Sequence, residues 1–208
     1  MMRGLSVTVT EADDERRFLR RLQARDEHAF NELVQLYEGR VYRLVLRILG
    51  KPDEAEDMAQ DVFVAVFRSV DKFRGDSKLS TWIYKIAINL CKNRGRYWSR
   101  RPSEAAEDLG DVEEKGWLEE GPARTTAELS APDQHVQGYQ VEEIVRRCIQ
   151  ELGPDYRDVV VLRDVEELRY EEIVEITGLP EGTVKSRLHR GRALLKARVS
   201  RLLGEKIE

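Results

Sequence analysis

Apolar residues recur three and four positions apart along most of the chain, and no segment alternates apolar with polar residues as a half-buried strand would. The series are clearest over residues 30–48, 55–70 and 83–90. Residues 159–162 are rich in β-branched side chains, but helical spacing continues on both sides of them. The spacing therefore predicts an all-α fold, and its interruption in the middle of the chain predicts two small helical domains.

Capping residues predict where the helices of the first half begin. After a first helix over residues 30–48, Asp53 is expected to cap a second helix that starts at Pro52 and Asp53. Ser80 is expected to cap a third, which runs from residue 81 to about residue 96. The first half is thus predicted to contain three consecutive helices.

The second half contains four predicted helices, and the last two have the arrangement of a helix-turn-helix. We expect them over residues 141–152 and 155–164, around Ile173, and over residues 183–203. Gly178 ends the third of these helices, and residues 180–182 form the turn before the fourth. Two helices joined by a short turn that contains glycine are typical of DNA-binding domains.

Helical periodicity is lost between residues 102 and 138. Within this segment, residues 102–133 carry ten acids against two bases, a net charge of −8. Low hydrophobicity combined with high net charge does not support a packed core. We therefore predict a flexible acidic linker over residues 102–138, which separates one domain over residues 12–101 from another over residues 139–204.

Composition excludes several classes of protein. No apolar stretch approaches the roughly 18 residues of a membrane span, and the first residues lack a secretory signal, so we expect a cytoplasmic protein. Cys91 and Cys148 are too few for a disulfide framework or a structural zinc site and are expected to be buried. Phosphate-binding, metalloprotease and hydrolase motifs are absent, so we expect no enzyme, catalytic residue, metal or cofactor.

The last predicted helix carries charge of one sign. Between residues 183 and 201 it has seven Lys and Arg residues and no acid. One side carries apolar residues and Gly191, which would let a partner helix approach closely. The opposite side carries Ser186, His189 and Arg190, flanked by Lys185 and Arg187. An ordinary solvated face usually mixes both signs, so this helix favours DNA in the major groove.

The third helix combines aromatic, amide and cationic side chains. One face, which we call the aromatic-cationic face, consists of Trp82, Lys85, Asn89, Lys92 and Arg96. It belongs to a block, residues 72–101, with nine bases and one acid. Aromatic rings can stack on unpaired bases while cations contact phosphates, which favours single-stranded nucleic acid. The alternative for Trp82 alone is a place in the core.

The exposed side of the second helix is charged and partly apolar. It carries Asp57, Asp61, Val64 and Arg68, with Gln60 nearby. Such a stripe can bind a protein partner, although a solvated face is the simpler interpretation when the stripe is taken alone.

Three runs of residues resemble one family in order and spacing. They are AFNELVQLYEGRVYRLVLRILG, EAEDMAQDVFVAVFRSVDKFRGDSKLSTWIYKIAINLCKNRGR and LGPDYRDVVVLRDVEELRYEEIVEITGLPEGTVKSRLHRGRALLK. They resemble an extracytoplasmic-function (ECF) sigma factor, the smallest type of the bacterial sigma-70 family. The resemblance covers roughly residues 18–101 and 141–203, which is nearly everything outside the linker.

The resemblance implies a role in transcription initiation. Such factors bind core RNA polymerase, direct it to promoters through −35 and −10 elements, and help to open the DNA. Residues 12–101 would form region 2, which reads the −10 element, and residues 139–204 would form region 4, which reads the −35 element. The linker would thread through polymerase toward the RNA exit path, where, by our hypothesis, its charge mimics nucleic acid.

The resemblance also implies site residues and partners. Asp57, Gln60 and Asp61 would bind the β′ clamp helices of polymerase. The −10 site would comprise Phe73, Arg74, Trp82, Lys85, Asn89, Lys92 and Arg96. The −35 site would comprise Thr183, Lys185, Ser186, Arg187, His189 and Arg190. The partners would be core polymerase, through its β′ and β subunits, promoter DNA and an anti-sigma protein, with no small-molecule substrate and no membrane insertion.

Two other classes of function stay open on the residues alone. A conventional helix-turn-helix activator or repressor would explain the last helix but not the aromatic-cationic face. A helical adaptor that binds only protein would require both basic surfaces to be incidental. Binding to core polymerase separates the sigma factor from the first, and salt-dependent DNA binding separates it from the second.

Overall fold

The computed structural model describes residues 5–99 and 132–204, with side chains described for residues 14–94 and 141–204. Every regular element in those ranges is helical, as predicted. The α-helices are α1 (Leu5–Gln23), α2 (Glu27–Leu49), α3 (Pro52–Ser69), α4 (Leu79–Ser99), α5 (Pro132–Gln150), α6 (Pro154–Val160), α7 (Tyr170–Thr177) and α8 (Glu181–Gly204). A 3₁₀ turn follows α3 at Val70–Lys72, and α6 continues as a π-helical turn at Val161–Val165.

The first domain is a bundle in which α2 packs against α3 and α4. Its centre contains fully buried Leu33, Leu44, Val62 and Ile83. These residues belong to the apolar series that the sequence spacing predicted. Because each helix buries one stripe, polar residues elsewhere on the helices remain exposed, among them Asp57 and Asp61 of α3 and Lys85 and Asn89 of α4.

Two of the predicted caps are wrong. The N-cap of α3 is Lys51 with Pro52 in the first turn, so Asp53 lies inside the helix. The carbonyl of Lys51 already accepts the amide of Ala55 at 3.0 Å, and the fixed φ of proline suits the first helical position. Likewise α4 begins at Leu79, so Ser80 lies inside the helix rather than at its N-cap.

The second domain consists of α5 to α8. Helix α5 begins at Pro132, so residues 132–138, predicted as linker, are helical. The helix expected over residues 155–164 is confirmed as α6 with its π-helical turn. Gly178 ends α7 with φ of 70°, a conformation that favours glycine. The rest of the predicted linker, residues 102–131, lies outside the described residues, and α1 is a helix that the sequence analysis did not predict.

The two domains pack directly against each other. Helix α4 lies against α7, and α2 contacts α5 and α6. Buried apolar residues of both domains, such as Ile88 of α4 and Ile173 of α7, belong to one contiguous cluster. Sequence spacing predicts the helices within each domain but does not indicate which residues of the two domains pack together.

Candidate nucleic-acid interface

The aromatic-cationic face of α4 is built around Trp82. Its ring is half-buried and lies 5.1 Å from the ring of Phe73, at an interplanar angle of 41°. Phe73 itself is only 4% exposed, and its carbonyl accepts a hydrogen bond of 2.9 Å from Gln23 Nε2. The Phe73 ring is therefore part of the core, where it packs against Trp82, and its assignment to the −10 site stays a prediction.

The polar members of this face have two kinds of environment. Lys85 and Asn89 are exposed on α4, and Arg74 is exposed in the loop before it. Lys92 lies at the edge of the face, where its Nζ is 3.4 Å from Asp158 Oδ2 of α6. The side chain of Arg96 lies outside the described residues. Trp82, Lys85 and Asn89 are thus brought together at one accessible surface.

The predicted partner-binding stripe of α3 is exposed. Asp57, Gln60 and Asp61 face solvent, whereas Met58 and Val62 on the other side are buried. Val64 and Phe67 extend the stripe, and they are 46% and 38% exposed. Exposed apolar side chains beside carboxylates form a surface to which another protein can bind.

The helix-turn-helix places the first turns of α8 at the surface. Lys185, Ser186, His189 and Arg190 are exposed, whereas Val184 and Leu188 of the same helix are buried. Of the remaining predicted −35 residues, Thr183 and Arg187 are half-buried. A helix whose first turns project polar side chains from a packed domain has the geometry for entering a major groove.

Two of these cations form ion pairs with acids of the same domain. Arg187 Nη1 lies 2.8 Å from Asp155 Oδ1, and Lys185 Nζ lies 2.8 Å from Glu181 Oε1. Lys185 also lies 5.4 Å from the centre of the Tyr170 ring. These partly exposed pairs are weak in water, so the cations can exchange their partners for phosphates at low cost.

Sequence reasoning missed the residues that join the domains. Glu166 accepts hydrogen bonds from Arg47 and from the hydroxyl of Tyr84, both at 3.1 Å. Glu172 Oε1 lies 2.8 Å from Lys78 Nζ. The Glu166 partners are 119 and 82 residues away in the sequence, so no local spacing could have indicated them.

Desolvation dominates the titration behaviour of several buried groups. Burial, with the Glu166 carboxylate nearby, raises the pKa of Tyr84 well above its usual value, so this hydroxyl remains a donor. Burial raises the pKa of the Cys91 thiol to about 12. Both cysteines are buried, as the sequence predicted. Neither a cluster of metal-binding side chains nor a helix long and apolar enough to cross a membrane is found among the described residues.

Comparison with known proteins identifies both domains. Residues 33–101 match the family model "Sigma-70 region 2", and residues 142–195 match "Sigma-70, region 4". Two solved structures share the fold: CnrH in complex with the cytosolic domain of CnrY, and RpoE of Bartonella quintana. The first has 20% identity and a TM-score of 0.60, and it covers 89% of this chain and 96% of CnrH. The second has 23% identity and a TM-score of 0.57, and it covers 82% of this chain and 96% of RpoE.

Relatives of known name extend the match over nearly the whole chain. The ECF RNA polymerase sigma-E factor of Escherichia coli is 36% identical over 183 residues, which are 88% of this chain and 93% of that protein. The RNA polymerase sigma-H factor of Pseudomonas aeruginosa is 33% identical over 193 residues, which are 93% of this chain and 97% of that protein. On this evidence the chain belongs to the sigma-70 family and is an RNA polymerase sigma factor of the extracytoplasmic-function type.

Proposed function

We propose that each domain of this sigma factor reads one promoter element. The first domain recognises the −10 element and helps to melt it, with Trp82, Lys85 and Asn89 at the centre of the contact. The second domain inserts α8 into the major groove of the −35 element, with Lys185, Ser186, His189 and Arg190 facing the bases and phosphates. Binding at two separate elements sets the position of polymerase on the DNA.

One observation carries this assignment of roles: two chemically different surfaces are exposed on one chain. Asn89 and Trp82 on α4 offer an amide and an aromatic ring beside cations, which suits unpaired bases. Arg190 and its exposed neighbours on α8, Lys185 and Ser186, offer cations and a hydroxyl on one helix face, which suits a duplex groove. A promoter that is single-stranded at one element and double-stranded at the other requires this combination.

The docking surface for polymerase is proposed to be the exposed stripe of α3. Asp57, Gln60 and Asp61 would contact the β′ clamp helices, with Val64 adding apolar area. The place of action would be the cytoplasm, where polymerase and promoter DNA meet. An anti-sigma protein is proposed as the inhibitor, because RpoE of Bartonella quintana was solved in complex with the anti-sigma factor NepR.

The test is transcription in vitro with core polymerase and a library of genomic fragments, followed by mapping of start sites. We expect transcripts that start a fixed distance downstream of shared −35 and −10 sequences, and only when both core enzyme and this factor are present. Under the alternative of a conventional helix-turn-helix regulator, the chain would not join core polymerase and would direct no promoter-specific transcription by it.

A further inference from the structure

Three arginines of α2 line one cavity, which we call the arginine cavity. Arg40, Arg43 and Arg47 are three and four positions apart, so they share one face of the helix. The cavity has a volume of about 360 Å³, and its other walls come from the start of α4 and from residues 165–168 of the second domain. A concave space of this volume is typical of sites that bind small molecules.

The positive charge of the arginine cavity is only partly neutralised. Of the residues that line it, only Glu166 is acidic, so three arginines against one glutamate leave a net charge of +2. The two oxygens of Glu166 already accept hydrogen bonds of 3.1 Å from Arg47 Nη1 and from the Tyr84 hydroxyl. Among the side chains that the structure describes, no acid forms an ion pair with Arg40 or Arg43. Both guanidinium groups can therefore take an anion from solution.

The positions of these two arginines are defined by their surroundings. Arg43 lies back along α2 over Gly39, where a Cβ atom would be 3.3 Å from Arg43 Nη1. Burial, together with Glu166, raises the pKa of Tyr84, and the charge of Arg40 opposes that rise because its guanidinium lies near the Tyr84 hydroxyl. Like charges three positions apart on a helix repel each other, and a bound anion would relieve this repulsion.

The chemistry of the walls indicates which anion fits. A guanidinium group binds phosphate oxygens through two parallel hydrogen bonds, and the oxygens of a phosphate point in several directions, so one phosphate can serve more than one arginine. Beyond the arginines, the half-buried side chains of Val165 and Leu168 offer apolar contact to an organic group. A closed end formed by two domains suits a small molecule better than a continuous nucleic-acid strand.

We propose that the arginine cavity binds a small molecule that carries a pyrophosphate group, with Arg40 and Arg43 as the principal ligands of its phosphates. The organic part of that molecule lies against Val165 and Leu168. Such a ligand contacts both domains, so its binding stabilises their contact. This site is separate from the surfaces assigned to promoter DNA and to polymerase, and it does not depend on those assignments.

The experiment is isothermal titration calorimetry of the full chain with inorganic pyrophosphate, without divalent cations and in about 0.15 M NaCl, which screens isolated surface charges. ADP and citrate are titrated in parallel, because ADP carries the same group on a nucleoside and citrate carries carboxylates instead. The test variant is Arg40→Gln with Arg43→Gln, both at exposed positions. The matched control is Arg68→Gln with Arg201→Gln, which removes the same charge from exposed positions outside the cavity.

Pyrophosphate and ADP are expected to bind wild type at one site per chain. Affinity should fall by at least about 10-fold in the test variant, because two charged hydrogen-bond donors are lost, and by less than about twofold in the control. Equal losses in both variants, or citrate binding as tight as pyrophosphate, would indicate general attraction of anions and overturn the proposal. Absence of pyrophosphate binding to wild type would overturn it as well, and weaker single-stranded DNA binding by the test variant would then assign these arginines to DNA.

A second variant fills the cavity with a charge of its own. Ser80 is a half-buried cavity residue in the first turn of α4, where an acid is favourable to the helix, so Ser80→Asp should fold normally. Its carboxylate would compete with the ligand for the arginines. Pyrophosphate should raise the thermal midpoint of wild type and leave that of Ser80→Asp unchanged. An equal rise in both proteins would overturn the proposal.

Discussion

Gly191 of α8 lies so close to Val160 of α6 that a Cβ atom at Gly191 would be 2.8 Å from Val160 Cγ2. The same atom would be 3.3 Å from Tyr156 Cβ and 3.5 Å from the Tyr156 carbonyl oxygen. Val160 is fully buried and β-branched, so its methyl group cannot rotate away freely. Because glycine has no Cβ atom, α8 can pack this closely against α6 at Gly191.

Gly191→Ala is expected to lower the free energy of unfolding. Overpacking in a core costs about 1–3 kcal/mol, and the roughly 1 kcal/mol that alanine gains over glycine in a helix offsets only part of it. Thermal or urea unfolding followed by circular dichroism measures the difference. The control is Gly182→Ala in the same helix, where a Cβ atom meets nothing within 4 Å and stability should not fall. A variant at Gly191 as stable as wild type would show that the packing is loose.

Both thiols are expected to resist modification in the native protein. Burial and, to a smaller extent, the Asp158 carboxylate raise the pKa of Cys91 to about 12, so its thiolate is scarce at neutral pH. Cys148 is also buried, and burial raises its pKa. Reaction with Ellman's reagent should be slow natively and complete for both thiols in guanidinium chloride. Rapid native reaction of one thiol would contradict the described packing.

Sequence spacing could predict this helical core but not the contact between the domains. Leu33, Leu44 and Ile83 are buried, as the apolar periodicity predicted. That periodicity can be recognised in the sequence because the residues of one buried helix face recur every three or four positions. The pair of Glu166 with Arg47 joins positions 119 residues apart, and no local pattern encodes it. Exposure of Asn89 and Arg190 could be predicted from the same helical periodicity, because both lie opposite the apolar face of their helix. Burial of Phe73, which lies outside the helices, depends on tertiary packing.

Asn89→Ala is expected to weaken −10 recognition without affecting the fold. The side chain is exposed, so the change in stability should stay within about 0.5 kcal/mol. Loss of one base contact should cost about 1–3 kcal/mol, roughly 5-fold to 150-fold in open-complex formation. Heparin-resistant complexes on wild-type and −10-mutated promoters measure this loss. Equal activity of the variant and the wild type on both promoters would show that Asn89 does not contribute to −10 recognition.

Asp61→Ala is expected to weaken binding to core polymerase. We expect a cost of about 1 kcal/mol, or roughly fivefold in Kd, if this carboxylate lies at the centre of the docking surface. Fluorescence anisotropy of labelled factor titrated with core enzyme measures the affinity. Glu56→Ala is the matched control, because this exposed acid lies on α3 but beside the stripe. Equal losses in the two variants would indicate a general charge effect instead.

Arg190→Ala is expected to reduce dependence on the −35 element. The arginine is exposed near the start of α8, and its loss should cost about 1–3 kcal/mol if it contacts a guanine edge. Holoenzyme binding to promoters with intact and scrambled −35 sequences measures this preference. The control is Arg201→Ala, which removes the same charge about 16 Å further along the helix. This variant should keep the wild-type preference for an intact −35 sequence. Loss of affinity without loss of −35 preference would assign Arg190 to phosphate instead of to bases.

Permanganate reactivity of thymines in the −10 element tests the central claim most directly, because permanganate oxidises unpaired thymines. On a promoter whose start site has been mapped, core polymerase and this factor together should make the non-template −10 thymines reactive, and neither should do so alone. Weaker reactivity with Asn89→Ala at saturating factor would link the melted strand to α4. If promoter DNA stays unreactive with both proteins present, the chain does not open promoters and the account is contradicted.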